Sequence, residues 1–384
     1  MSSLVVIPFW SEDTDVVVRN VNHAASHPRV GEVLCVGREV ESTYAAIEEA
    51  APGIAQSTDT AVKVIQQERI GTKRPGKGDG MNTGLLYFVG SDHHRLHFYD
   101  ADITTFDGSW ITKTERAADL GHDMVRCYFP RSSTDGMITW MITRPLFAKL
   151  FWDTPLPRID QPLGGELLLS RSAAEALSSD RRVLDQSDWG IDTALTFTTV
   201  DLGLSIYEAY IPQGKVHKLY GALTDIRTML IECFEAAKGF AGTRPHPDSP
   251  HQVEPPERVP AEIADKVGYD KAGTVALLLD SWSDRQSDIL SRFPTPIESG
   301  MKGARNGDVS FMDEKRWGLA LDTLLSDYQT GDRDWEEMLF QLWIIRVLAY
   351  SQDVATQGYD EAMRYLRETI FGYVYESKTG HTLD

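Results

Sequence analysis

The sequence predicts an α/β protein: a mainly parallel sheet with helices on both faces, continued by a mainly α-helical carboxyl-terminal part. Two patterns carry that expectation. Through residues 1–220, short apolar runs rich in β-branched residues alternate with segments of helical periodicity. From Pro260 onward only the helical period recurs. A pair of aspartates closing one of the apolar runs then says where such a sheet would hold its chemistry.

Leu4-Val5-Val6-Ile7 reads as a strand ending at Pro8, and Asp13 to Ser26 as a helix. Val30 to Val36 is a second strand, closed by Gly37, and Glu41 to Ala51 a helix. Val62 to Gln66 is a third strand, and Gly80 to Val89 a helix leading to the run Leu96 to Tyr99. A helix over Ser109 to Leu120 and a strand over Met124 to Phe129 follow. Further on come a strand at Leu167 to Ser170, a helix at Thr193 to Val200 and a strand at Ser205 to Tyr210. Asp225 to Lys238 is an amphipathic helix. Residues 243–260 are rich in proline and nearly free of apolar side chains, as in a linker or crossing strap. Helices are expected at Ala272 to Ser281, Ser283 to Phe293, Phe311 to Tyr328, Trp335 to Ser351 and Tyr359 to Tyr375. Trp282, Trp317, Trp335 and Trp343 serve there as core or interface anchors. The division expected is a sheet domain over 1–220 and a helical domain over 221–384.

The 384 residues suffice for two domains and a large core. With 38 Lys and Arg against 57 Asp and Glu, the formal charge is −19, a field that disfavours nucleic acid and anionic membranes. No apolar run approaches the roughly 20 residues of a membrane helix. The first strand starts at once, so no signal peptide is expected. Cys35, Cys127 and Cys233 are odd in number and far apart, which fits buried small hydrophobes in a reducing cytoplasm.

In a wound sheet, ligands lie beyond the carboxyl ends of the strands. That rule places Pro8-Phe9-Trp10, Gly37-Arg38, Gln67 and Asp100-Ala101-Asp102 along one edge. Asp100 and Asp102, at i and i+2, point the same way from an extended backbone. Their repulsion would be relieved by a hard divalent ion, Mg2+ or Mn2+. Alone, the triplet reads first as an acidic turn. Residues 71–80, GTKRPGKGDG, nearly match a phosphate-binding loop, but Gly78 stands where the metal-binding hydroxyl belongs. This speaks against a P-loop NTPase, and Lys77 is left as a point charge for phosphate or as part of a flexible loop. Arg131 heads the polar loop RSSTDGM, suited to a small carboxylate or simply solvated. Asp188 reads as an N-cap, and Asp192 as an acid in the first turn of the next helix. His217, in a loop after the last strand, is a candidate third metal ligand.

Seven segments then fall together in order: Pro8-Phe9, the QERIGTKRPGKGDGMNTGL run from Gln67, HFYDAD, YFPRSSTDGMITWMITR from Tyr128, QPLGGELL, SDWGID, and GKVHKLYG from Gly214. FMDE and DWEE extend the likeness into the helical part. The set resembles the bacterial mannosylglycerate synthase family, retaining glycosyltransferases that move mannose from GDP-mannose to D-glycerate. The resemblance implies a GT-A fold, a Rossmann-like nucleotide-sugar domain with a helical carboxyl-terminal domain. It implies a divalent metal, Mn2+ or Mg2+, held by Asp102 and His217. Asp192, Asp100 and Tyr220 would be catalytic. The donor site would comprise Pro8, Phe9, Trp10, Arg38, Gln67, Lys77, Asp100, Ala101, Leu163, Gly164 and Tyr220. Arg131, Asp135, Gly136, Met137 and Thr139 would form the acceptor loop, Arg131 taking the glycerate carboxylate.

Departures from the family pattern are Trp10 in place of a lysine and Arg38 in place of a tyrosine, both where the base should bind. Lys218 replaces an arginine, and Gly136 an alanine. The exchange at positions 10 and 38 leaves one stacking surface and one charged donor, or changes base preference. Alternatives are another nucleotide-sugar donor, GDP-glucose or a UDP-sugar, or another 2-hydroxy acid, D-lactate or glycolate. A different class is a sugar-nucleotide sensor without catalysis. The helical part either packs on the sheet or forms a homo-oligomer contact.

Overall fold

In a computed structural model, residues 2–216, 223–279, 281–304 and 308–380 are described. In chain order the strands are β1 (Ser3–Pro8), β2 (Val30–Gly37), β3 (Ala61–Gln66), β4 (Arg95–Phe98), β5 (Met124–Tyr128), β6 (Leu167–Ser170), β7 (Ile206–Tyr210) and β8 (His251–Val253). The helices of the first half are α1 (Thr14–Ala25), α2 (Ser42–Thr58), α3 (Lys77–Val89), α4 (Gly108–Asp119), α5 (Arg144–Leu150), α6 (Arg171–Ser178), α7 (Arg181–Leu184) and α8 (Gly190–Asp201). Those of the second are α9 (Arg227–Gly239), α10 (Ala261–Ala264), α11 (Lys271–Val275), α12 (Asp284–Leu290), α13 (Thr295–Gly303), α14 (Glu314–Asp327), α15 (Arg333–Asp353) and α16 (Tyr359–Thr379).

The chain forms two compact units. The first takes Met1–Pro130, Ile159–Lys218 and Arg244–Arg258; the second takes Arg131–Arg158, Leu219–Thr243 and Val259–Asp384. Among the described residues, the first unit holds an eight-stranded sheet in the order β3-β2-β1-β4-β6-β5-β7-β8. It is mainly parallel, as expected, with β6 antiparallel between β4 and β5. Leu4 to Ile7 are buried on both faces, which is why β1 reads as an unbroken apolar run without alternation. Val5, Ile7, Val33 and Cys35 meet α1, α2 and α4 in one core. Val6, on the opposite face, touches α3 at Gly84. All three cysteines are buried and none is in a disulfide.

Three local differences from expectation have physical causes. Helix α2 runs on through Pro52 to Thr58, because Ile54 is buried in the core and that gain outweighs one lost backbone hydrogen bond. The proline-rich segment supplies an edge strand, β8, parallel to β7. After β5 the chain enters a π turn over Thr139–Thr143 and then α5, where the sequence reading placed no element.

At the amino ends of the strands, Glu115 of α4 is 2% exposed and gathers four donors. Ser3 Oγ lies 2.5 Å and His97 Nε2 2.9 Å from its Oε1. Arg29 Nη1 lies 3.1 Å from Oε2, which Arg95 also reaches. The network ties α4 to β1 and β4. Burial opposes the charge of Glu115, but His97, Ser3 and Arg95 outweigh it and hold its carboxyl well below the ordinary 4.5.

In the second unit, α15 is buried along almost its whole length, as a helix apolar on all sides must be. Trp317, Trp335 and Trp343 are fully buried core anchors. Asp332 caps α15 by accepting from the backbone N of Asp334 (2.9 Å) and Trp335 (3.3 Å). Among the described residues, no helix is long and apolar enough to cross a membrane.

Glu115→Ala is expected to cost about 3–5 kcal/mol at neutral pH, since it strands two arginines beside a buried histidine. A carboxyl whose folded pKa is depressed contributes its full stability above the ordinary value of 4.5 and loses it as the pH falls below. Denaturant midpoints measured down a pH series should therefore fall more steeply in acid for the natural protein than for the variant.

Candidate active site

In the first unit, the carboxyl ends of β1, β2 and β3 come together as the wound-sheet rule requires. Phe9 N donates to Val36 O at 2.9 Å, and Gln67 N to Gly37 O at 2.7 Å. Phe9 itself lies in the core with its ring under Gly37, and Pro8 faces Gly80. Trp10 is 37% exposed, and the Arg38 guanidinium stacks 4.8 Å from its ring centroid. Those two residues make one platform, an aromatic face with a cation on it. Gln67 Nε2 donates to Gly76 O at 3.2 Å.

The glycine-rich loop is packed, not a flexible surface loop. Gly71, Gly76 and Gly78 are required because the segment 185–188 lies directly on them. A Cβ on Gly76 would run into the Asp188 carboxylate, and one on Gly78 would stand 2.5 Å from Gln186 O. Lys73 N donates to Ser187 Oγ (2.9 Å), and Asp79 N to Ser187 O (2.8 Å). Asp79, fully buried, accepts from Ile70 N, Gly71 N and Arg69. Asp188 does not cap its own helix: α8 is capped at Trp189 without a side-chain bond. Its carboxylate instead accepts from Lys77 N at 3.0 Å, the first amide of α3, and pairs with Arg74. The cap serves a helix that lies far from it in sequence.

Lys77 opens α3 and turns its ammonium into a buried cluster. Its Nζ lies 3.0 Å from Asp100 Oδ1 and 3.2 Å from Asp192 Oδ2, and 5.7 Å from the Trp189 ring centroid. Asp192 sits in the first turn of α8. A second lysine, Lys215, reaches Asp100 Oδ2 and Glu166 Oε1, each at 2.6 Å. Lys215 is held in place by its loop, where Thr104 N donates to Val216 O (2.7 Å) and Thr105 Oγ1 to Gly214 O (2.7 Å). The sequence reading gave Lys215 and Glu166 no role; a glutamate inside the apolar run GGELLL was the available signal.

Burial disfavours the charge on Lys77, but Asp100, Asp192 and Glu166 outweigh it and raise its pKa well above 10.5. Burial likewise opposes the charge on Asp100, yet Lys215 and Lys77 hold it well below the usual carboxylate range. Glu166 is pushed up to about 7 by burial and by Asp100, against the pull of Lys215. Asp192 Oδ1 and Glu166 Oε2 are buried and have no hydrogen-bond partner among the described residues. A carboxylate oxygen left this way needs a donor from outside the protein or its own proton.

Ala101 is buried, its carbonyl held by Asn20 Nδ2 at 3.0 Å, and Asp102 is half-buried beside it. Glu12, from the loop after β1, has its pKa raised by burial and further by the charges of Asp102 and Asp100. His217, Lys218 and Tyr220 lie outside the described residues. Among those described, no three His, Cys, Asp or Glu side chains converge to hold a metal. Leu163 and Gly164 precede β6, with Leu163 O accepting from Gln161 Nε2 at 3.0 Å.

In the second unit, the loop from Arg131 to Thr139 is fixed from beneath by aromatic residues. Tyr350 Oη donates to Ser133 O (2.8 Å), and Trp343 Nε1 to Met137 O (3.4 Å). Gly136 has φ +68°, and a Cβ there would stand 2.6 Å from Arg131 Nη1. Glycine lets Arg131 fold back over the turn, where alanine would be strained. Asp135 is half-buried, and Met137 and Thr139 are buried.

Sequence profiles of the mannosylglycerate synthase GT domain and of the mannosylglycerate synthase C-terminal domain match residues 3–239 and 263–370. The chain belongs to the mannosylglycerate synthase family. It is 52% identical over 377 residues to a mannosylglycerate synthase of Rhodothermus marinus, covering 98% of this chain and 95% of that one. It is 50% identical over 382 residues to one of Selaginella moellendorffii, covering 98% and 90%. Among solved structures it resembles glucosyl-3-phosphoglycerate synthase from Mycobacterium tuberculosis in complex with phosphoglyceric acid. That match has a TM-score of 0.50 and 19% identity, over 63% of this chain and 80% of the other. At that identity the likeness speaks for the fold, GT-A. This member of the mannosylglycerate synthase family is a glycosyltransferase.

Gly78→Ala must push the 185–188 segment off the loop, so it should cost roughly 1–3 kcal/mol and weaken donor binding. Gly53→Ala in α2, where a Cβ meets nothing within 4 Å, is the control and should leave stability equal or higher. Calorimetric melting and initial rates of the two variants check this.

Proposed function

We propose that this enzyme moves mannose from GDP-mannose to D-glycerate with retention of configuration, making mannosylglycerate, and that it depends on a divalent cation. What supports this most is the buried cluster at the end of β4. Lys77 stands among carboxylates, and the Asp192 oxygen Oδ1 lacks a donor. A hexose supplies hydroxyl donors to such oxygens; a purely anionic ligand does not. Relatives 52% and 50% identical bear the name of that product's synthase.

Asp102, half-buried beyond the end of β4, is a carboxylate of the kind a hard cation takes. Asp102 and His217 would hold Mn2+ or Mg2+, whose chemistry is to neutralise charge on the leaving diphosphate. Lys77 adds a fixed positive charge for the same group. Asp100 and Asp192 orient the sugar through its hydroxyls. Arg131, with Asp135, Gly136, Met137 and Thr139, positions the glycerate carboxylate through a two-pronged hydrogen bond. The bond from the anomeric carbon to the phosphate oxygen breaks, and the glycerate hydroxyl oxygen bonds to the same face. Its proton passes to the departing phosphate oxygen. Asp192 stays non-covalent throughout, so a kinetically competent sugar adduct on it would refute this route.

Nucleotide release is the test, with GDP-mannose, GDP-glucose and UDP-sugars as donors and D-glycerate, D-lactate and glycolate as acceptors, each with Mn2+ or Mg2+. Release of GDP from GDP-mannose should require glycerate and disappear in Asp102→Ala. Lys77→Met and Asp192→Asn should lower kcat about 10²–10³-fold. Release from another donor alone would show that Trp10 and Arg38 changed the base or sugar read, and binding without release would favour a sensor. Arg38→Ala, which removes the cation from the Trp10 face, should weaken GDP binding about two- to fivefold in titration calorimetry.

A further inference from the structure

The short stretch before β6 has an unusual accounting of its backbone. Gln161 O and Gly164 O accept from Arg126 Nη1 at 3.3 and 3.0 Å. Pro162 O accepts from Thr196 Oγ1 at 2.7 Å, and Leu163 O from Gln161 Nε2 at 3.0 Å. Four consecutive carbonyls are thus taken by the protein's own side chains. The other arm of the same arginine, Nη2, donates to Asp192 O at 3.3 Å, where Thr196 Oγ1 also donates at 2.9 Å. Arg126 is fully buried in β5. Its register partner on β7 is Glu208, which accepts from Asp160 N (3.1 Å) and Gln161 N (2.9 Å).

A trans peptide points its C=O and the following N–H in opposite directions, and no peptide bond here is cis. Carbonyls of residues 162, 163 and 164 drawn to internal donors therefore send the N–H groups of Leu163, Gly164 and Gly165 the other way. Among the described residues, none of those three amides has an acceptor. Gly165 borders the lysine and carboxylate cluster, since a Cβ on it would run into Asp100 and Lys77. Gly164 and Gly165 are buried, so bulk water is a poor substitute partner.

We propose that Arg126 is a positioning residue for glycosyl transfer: its fork turns the amides of Leu163, Gly164 and Gly165 outward as donors to oxygens of the donor's hexosyl group, while holding the first turn of α8 that carries Asp192. The inference rests on the nucleotide-sugar reading above. It assigns a function to a buried charge that no catalytic step uses. Its two terminal nitrogens donate to carbonyls while the buried Nε has no partner among the described residues, and a lysine in its place keeps the charge but loses the fork.

The test is titration calorimetry of the full chain with GDP-mannose and with GDP, in the natural protein, Arg126→Lys and Thr196→Val. The ratio of the two affinities isolates the sugar. In Arg126→Lys that ratio should fall about tenfold, the equivalent of one or two neutral hydrogen bonds, with GDP affinity unchanged. Thr196→Val should lower it about threefold in the same sense. Should Arg126→Lys fail to fold, Thr196→Val decides alone. An unchanged ratio, or equal losses for GDP and GDP-mannose as general loosening would give, overturns the proposal. If the natural protein takes a different hexose donor, the choice of GDP-mannose fails, and the ratio measured with that donor and its diphosphate still decides the role of Arg126.

Discussion

Two ammonium groups and three carboxylates share the buried carboxyl end of β4, and the surrounding structure is arranged around keeping them there. Taking one such ion out of water costs several kcal/mol even after relaxation. The cost is offset only if each charge finds partners at hydrogen-bonding distance. Lys77 and Lys215 meet that condition by dividing the oxygens of Asp100 between them, at 3.0 and 2.6 Å. To deliver Lys77, α3 must begin where it does, which requires its first amide to be capped by Asp188 and Gly76 and Gly78 to lie flat against 185–188. To deliver Lys215, the loop after β7 must be held by Thr104 and Thr105. Glu166 closes the set from the entry of β6, the one strand that runs against its neighbours.

The cluster is also incomplete by itself. Two of its oxygens lack donors, and Glu166 is poised to hold a proton near neutrality. A site that satisfied every atom internally would gain nothing from a polyhydroxy ligand. Among the described residues, acceptors at Asp192 and Glu166 and donors along the backbone from 163 to 165 have no protein partner. Sugars present donors and acceptors on adjacent carbons, which is the complement the proposed reading calls for.

Much of this was legible in the chain because its signals are local. The β-branched runs and the doublet at 100 and 102 announce themselves within a few residues. What escaped was whatever depends on a distant partner. Asp188 has the local grammar of an N-cap, but its carboxylate is claimed by Arg74 and by the start of α3, more than a hundred residues away. The glycines between 71 and 80 suggested phosphate or flexibility, and nothing local showed that 185–188 packs on Gly71, Gly76 and Gly78. Lys215 and Glu166 carried no motif, and Arg126 sat unremarked inside the strand MVRCY. Pro52 misled in the opposite direction, since a local rule ended a helix that core packing continues.

The way residues 131–158 are housed has a consequence for modularity. They lie in sequence between two strands of one sheet, yet they belong to the compact unit built from the carboxyl-terminal helices. Trp317 and Trp343 donate indole hydrogens into that excursion, and Tyr350 its hydroxyl. The chain therefore cannot be cut into a catalytic half and a dispensable appendage. A recombinant swap exchanging only the helical tail between family members would carry away the floor on which the Arg131 loop rests. Interchange of parts between such enzymes has to move the excursion and the helices together, as one inheritance unit with three addresses in the gene.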